Sequence, residues 1–171
     1  MKKINYIFII LLTTICCFSS CDNTPKEPNT YEFERRYGSQ EYDLPIIKVK
    51  LGDKTVNFIV DSGSEANIIS EDYYKSNKNY FEVVGTTDYI LSTMDTETPM
   101  KGKFVQTILD DSVKVTFTTM ESINNMLANV ASKQGIAIKG ILGVKFLYDN
   151  NVVIDFANKK VITNFKEDAA I

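Results

Sequence analysis

The stretch of this sequence best suited to chemistry is Phe58-Ile59-Val60-Asp61-Ser62-Gly63-Ser64-Glu65-Ala66-Asn67-Ile68-Ile69-Ser70. An apolar strand delivers an acid to a sharp turn, and a second apolar pair returns the chain to the core. Gly63 lets the backbone come close to whatever Asp61 faces, because it has no Cβ and wide φ/ψ freedom. The Ser62 hydroxyl can bond locally or across an interface and so hold the acid's loop. The chain has no histidine, which rules out Ser-His-Asp and Cys-His machinery and the imidazole-based zinc site. Acid and base work therefore falls to carboxylates, lysine or tyrosine. No serine stands in a recognisable elbow or at helical spacing from a lysine, as a Ser-Lys dyad would need. Taken alone, Asp-Ser-Gly also reads as an ordinary turn at a strand end, where all three residue types are favoured for backbone reasons.

Context comes from Gly140-Ile141-Leu142-Gly143-Val144-Lys145-Phe146-Leu147, followed after a short gap by Val152-Val153-Ile154-Asp155-Phe156 and a turn at Asn158. In these two motifs, in this order, the chain resembles the retropepsin-like aspartic peptidases. There an Asp-Thr/Ser-Gly loop follows an apolar strand, and a later apolar-apolar-Gly loop opens a short helix. In bacterial and transposon relatives the second motif continues as Ile-Leu-Gly, two residues, Phe-Leu and a hairpin with Ile-Asp-Phe. The likeness covers residues 42–165.

The resemblance implies that Asp61 is catalytic, that Ser62, Gly63 and Ser64 support its loop, and that Gly140, Ile141, Leu142 and Gly143 support the site in a ψ-shaped arrangement. Only one Asp-Ser-Gly is present, so it implies a homodimer in which Asp61 meets its own copy across a two-fold axis. Two carboxylates about 3 Å apart cannot both ionise cheaply; they share a proton and act as base and acid in turn. Such a pair hydrolyses a peptide bond of a polypeptide substrate with no metal and no cofactor. Asp155 stands in a hairpin setting that matches a structural acid. A β-hairpin over the cleft is implied between Tyr89 and Val105, with substrate contacts from Glu65, Ser92, Thr93 and Met94. Its tip lacks the glycines of the viral flap, and Pro99 stiffens one side, so it reads either as a lid or as a plain surface hairpin. Lys145 stands where bacterial relatives carry Asp and viral ones Arg. The competing reading of function is a non-catalytic envelope lipoprotein that uses the same fold to bind peptide or protein; the alternative to the fold itself is that Gly140 and Gly143 are ordinary helix-entry glycines.

The elements that must position these residues read as mainly β, a small closed or partly closed retropepsin-like acid-protease barrel with one or two short helices. Ile47, Val49 and Leu51 alternate with lysines, Gly52-Asp53 offers a turn, and residues 55–60 return as a strand into Asp61. Further strands are expected over 81–84, 89–92, 103–109, 113–118, 152–156 and 160–165, with turns at Asp110-Asp111 and Asn158-Lys159. Helical character is confined to a short piece after Ser70, to 122–133 and to 144–148. The folded domain is expected over 42–166, with a short tail at 167–171.

Lys2 and Lys3 precede an apolar run of roughly a dozen residues, short of the ~20 a spanning helix needs, which reads as a lipoprotein signal peptide over residues 1–20. Phe18-Ser19-Ser20-Cys21 resembles a lipobox, with Phe18 in place of the usual Leu. Cys21 is then lipidated; in the competing reading it is incidental to plain secretion. Residues 21–41, polar and holding Pro25 and Pro28, read as a flexible tether. Cys16 and Cys17 leave with the signal, so no disulfide framework or thiolate metal site remains. Loss of Lys2 and Lys3 takes the 19 basic residues to 17 against 22 acidic ones, about −5, with no basic stripe. That argues against nucleic acid as a partner, and the lipoprotein tether with the Lys-, Asn- and Ile-rich composition points to a bacterial cell envelope, with the chain exported and held at a membrane by its lipid anchor.

Overall fold

The computed structural model describes residues 28–34, 44–92 and 97–164, with 89–92 and 97–100 described by backbone alone. Among the described residues ten strands form two sheets. The larger runs β2 (Ile46–Leu51), β3 (Lys54–Val60), β8 (Gly140–Leu142), β4 (Ile68–Ser70), β7 (Val113–Met120), β6 (Glu97–Leu109) and β5 (Glu82–Ser92), in that spatial order. Leu51 of β2 pairs back onto Leu109 of β6, which closes six of the seven strands into a barrel and leaves β5 outside the ring. The smaller sheet is β1 (Asn29–Glu32), β10 (Lys160–Thr163) and β9 (Val153–Asp155), all antiparallel. The mainly β, closed-barrel expectation is met.

Side-chain alternation explains the barrel. In β2, Ile47, Val49 and Leu51 point inward and are buried while Lys48 and Lys50 are exposed, the period-2 pattern of a strand with one face on a core. Phe58 of β3 and Phe117 of β7 stack across the interior at 5.4 Å between ring centroids. A second cluster lies outside the barrel wall, where Ile46, Ile59 and Ile141 meet Ile123 and Leu127 of α2 (Ile123–Gln134) and Ile138. Gly135 closes α2 in the left-handed conformation, φ 67°, that a glycine adopts freely.

The turns follow their residue types. Asp110 and Asp111 both take positive φ, 47° and 59°, in the three-residue connection 110–112 between Leu109 and its partner Val113, and the Ser112 N–H donates to the Leu109 carbonyl at 3.1 Å. Helices occupy the three expected stretches: α1 (Glu71–Ser76), capped by the Ser70 hydroxyl accepting the Tyr73 N–H at 3.2 Å, α2, and α3 (Val144–Asp149). Among the described residues these are the helices, with a 3-10 turn at Lys78–Tyr80 beside them.

Three differences from the sequence reading have physical causes. Strand β5 is continuous from Glu82 to Ser92: residues 85–88, between the two expected strands, pair in ladder with residues 104–101 of β6, and a register shift between Val83 and Gly85 takes up Val84. Ile68–Ser70 and Gly140–Leu142 are strands, each short and buried on both faces, so neither shows alternation. The tether expectation fails for residues 29–34. Asn29–Glu32 is β1, Phe33 is buried, and the Tyr31 hydroxyl donates to Asp110 Oδ2 at 2.7 Å. Residues 21–27, with Cys21, and 35–41, the signal segment and the 167–171 tail lie outside the described residues. Among the described residues no helix is long and apolar enough to cross a membrane.

Candidate active site

Asp61 leaves β3 at the point where three strands cross. β8 lies between β3 and β4, parallel to the first, with Val60 opposite Leu142, and antiparallel to the second, with Ile68 opposite Ile141. The loop 61–67 therefore leaves one neighbour of β8 and returns along the other, which is the ψ-shaped crossing. Asp61 N–H donates to the Leu142 carbonyl at 3.0 Å, and Val144 N–H donates to the Ser64 carbonyl at 2.7 Å. Both predicted motifs are thus in direct backbone contact although 79 positions separate Asp61 from Gly140.

The glycines are required by this contact. A Cβ on Gly143 would lie 2.4 Å from the carbonyl oxygens of both Ser64 and Ala66, and one on Gly140 would lie 2.3 Å from the Ile68 carbonyl oxygen. No side chain fits at either place. Gly143 does precede α3 as its N-cap, so its place before a helix is real as well; the close backbone approach is the stronger constraint.

Asp61 is half-buried, and its Oδ1 accepts the Gly63 N–H at 2.8 Å, which turns the carboxylate back over its own loop. The Ser64 hydroxyl donates to the Ala66 carbonyl at 2.8 Å and stiffens the far side of the loop. Ser62, Gly63 and Glu65 are exposed. The loop thus presents its acid and two small residues outward while its back is bonded to β8.

Asn67, which sequence reasoning left without a role, ties the loop down. Its side chain is buried; Oδ1 accepts the Gly143 N–H at 2.9 Å and Nδ2 donates to the Thr116 carbonyl at 3.2 Å, while its own carbonyl accepts the Thr118 N–H at 2.8 Å. A polar residue between the loop and an Ile-Ile pair was the available signal.

Other expected residues fall as follows. Ile141 and Leu142 are buried in β8. Asp155 is a turn acid: its Oδ1 accepts the Asn158 N–H at 2.9 Å and its Oδ2 the Asn158 side-chain amide at 2.7 Å. Those hydrogen bonds hold its carboxyl below the usual carboxylate range. Lys145 pairs with Asp149 one turn along α3 at 2.8 Å. The expected hairpin is present and longer than anticipated, β5 and β6 pairing from Glu82 with Gln106 out to Ser92 with Glu97. Its tip, with Thr93 and Met94, and the Ser92 side chain lie outside the described residues. Among the described residues no three His, Cys, Asp or Glu side chains gather as a metal cage.

No protein-family model matches this chain, and no curated protein matches it. Among solved structures it is similar to the retroviral protease-like domain of Ddi1 from Leishmania major, at 14% identity and a TM-score of 0.41, covering 77% of this chain and 100% of that one. The barrel described above rests on this chain's own strand pairings.

Proposed function

We propose that the protein is an aspartic endopeptidase whose site is assembled from two copies, each supplying Asp61. The observation that carries this reading is the ψ crossing: an acid on an outward-facing Ser-Gly loop, braced from behind by backbone bonds to the Gly-Ile-Leu-Gly strand. One chain supplies one such carboxylate, and peptide hydrolysis by this chemistry needs two.

In the assembled site a water lies between the two Asp61 carboxyls, which hold one proton between them. The unprotonated carboxylate takes a proton from the water as its oxygen attacks the peptide carbonyl. The protonated partner gives its proton to the carbonyl oxygen, which makes a neutral gem-diol. The carboxyl that took the water's proton then passes it to the amide nitrogen as the C–N bond breaks, while a diol hydroxyl returns a proton to the partner and leaves the new carboxylic acid. The substrate lies extended, as the exposed Ser62-Gly63 edge and the β5–β6 hairpin favour main-chain pairing with alternating side-chain pockets.

The same reading places the mature chain at a bacterial envelope through lipid on Cys21.

The test is hydrolysis of unfolded polypeptide at mildly acidic pH by wild type and Asp61→Asn. The substitution keeps an oxygen for the Gly63 N–H, so the fold should melt unchanged while turnover falls on the order of 10³-fold. Equal turnover by the variant removes Asp61 from the mechanism. A wild type that binds peptides but cleaves none favours the envelope binding module instead.

A further inference from the structure

Strand β10 ends at Thr163, and the next residue redirects the chain. Asn164 takes positive φ, 53°, and its N–H donates to the Asn150 carbonyl at 2.6 Å, which turns the backbone from the small sheet toward the end of α3. Asn tolerates this conformation better than most residues with a side chain. Asn150 in turn lines a cavity of about 270 Å³ between α3 and the outer face of the β6–β7 pair. The seven residues that follow, outside the described ones, are Phe165-Lys166-Glu167-Asp168-Ala169-Ala170-Ile171. They start at the cavity's edge.

The charged residues of the cavity are Lys114, Lys145 and Asp149, and Asn67 and Thr116 also line it. Lys114 projects outward between buried Val113 and Val115, by strand alternation. Among the described residues no carboxylate pairs with it; Asp111, three positions earlier, is held by Lys50 at 2.6 Å. Lys145 bonds Asp149 at 2.8 Å, an exposed pair of the kind that contributes little. The cavity therefore holds two cations and one anion, with one cation lacking a partner.

We propose that the chain's own segment 165–168 folds back into this cavity, seating Glu167 and Asp168 against Lys114 and Lys145, and so braces the back of the Asp61 loop. Four extended residues reach about 13 Å beyond Asn164. The charges match in number and sign: Lys166, Glu167 and Asp168 on the segment, Asp149, Lys145 and Lys114 in the cavity. This segment is the fitting occupant because its attachment at Asn150 supplies its acids at an effective concentration on the order of mM, with no second molecule to recruit. Seated there, it lies against Asn67, whose side chain holds the Gly143 N–H and the Thr116 carbonyl. Docking then stiffens the support of Asp61 without touching the acid.

The test is a charge-swap cycle, read by thermal melting of the full chain in detergent at low salt. Lys114→Glu, the double change Glu167→Lys with Asp168→Lys, and a chain stopped after Asn164 should each melt about 2–4 °C below wild type. Joining Lys114→Glu to the two segment changes should recover at least half of the summed loss. Salt at 1 M, where the Debye length is about 3 Å, should erase the differences among the charge variants. The chain has no tryptophan, so Ala169→Trp reports the segment's shielding: acrylamide should quench it less than it quenches the same reporter combined with Lys114→Glu. Losses that simply add, a stopped chain that melts like wild type, or quenching indifferent to Lys114→Glu would each overturn the proposal. Coupling that appears only as protein concentration rises would assign the cavity to another copy's segment and overturn docking within one chain. None of these readouts needs hydrolysis. A protein that cleaves nothing leaves the docking standing, and an active one with an additive cycle loses the docking alone.

Discussion

The crossing that carries Asp61 and the three-stranded sheet beside it are built on opposite terms. At the crossing β8 has a strand on each side, two glycines lie within van der Waals overlap of carbonyl oxygens for any larger residue, and a buried Asn67 bonds to two other segments. The small sheet meets the barrel through Phe33, Val161, the Tyr31–Asp110 bond and the Glu34 N–H on the Ile46 carbonyl, and among the described residues neither β1 nor β9 has a strand on its outer side. The difference teaches where change is tolerated. The loop that carries the acid is over-determined by backbone, whereas the edges of the small sheet keep main-chain groups that no described strand pairs with.

That contrast can be broken by substitution. The largest effect on stability is expected at Gly143→Ala, whose methyl has backbone oxygens on two sides and nowhere to move. A loss of about 2–3 kcal/mol is expected in denaturant unfolding, and a loss within about 0.5 kcal/mol would show that the loop is softer than its geometry. Asn67→Ala comes next. It strands the Gly143 N–H and the Thr116 carbonyl in a buried place, at about 1–3 kcal/mol, and it should lower turnover as well, by loosening the Asp61 loop. Unchanged turnover in folded Asn67→Ala would separate the brace from the chemistry.

The smallest effect belongs to the small sheet. Burial, then the Asp110 carboxylate, pushes the Tyr31 hydroxyl well above its ordinary range. A group whose folded pKa is raised stabilises fully below its unfolded value, near 10 for tyrosine, and loses that contribution as pH climbs beyond it. Melting should therefore fall off above about pH 10 in wild type. Tyr31→Phe should cost about 1 kcal/mol at neutral pH and flatten that alkaline limb. An identical limb in the variant would assign it to another group.

Much of the barrel is legible in the residues. The Ile47/Val49/Leu51 alternation, the Asp110-Asp111 turn and the three helical stretches all depend on neighbours within a few positions, where propensity and periodicity act. The strands that escaped reading are those whose reason lies elsewhere in the chain. Ile68–Ser70 and Gly140–Leu142 are three residues each and extend because they pair with one another and with β3 and β7. Asn-Thr-Tyr-Glu looks like polar tether, and becomes β1 because β10, some 130 positions later, offers it an edge.

By itself the sequence determined the acid, the glycines beside it, the absence of any histidine-based alternative and the alternation that makes a barrel wall, since these are matters of residue type and local period. Only the tertiary structure decided that Gly143 lies on the back of the Asp61 loop, that Asn67 bolts the two together and that β9 is left open. Each of those depends on which backbone groups from distant segments find one another, and hydrogen-bond pairing across 50 to 130 positions, roughly, leaves no imprint on neighbouring residues.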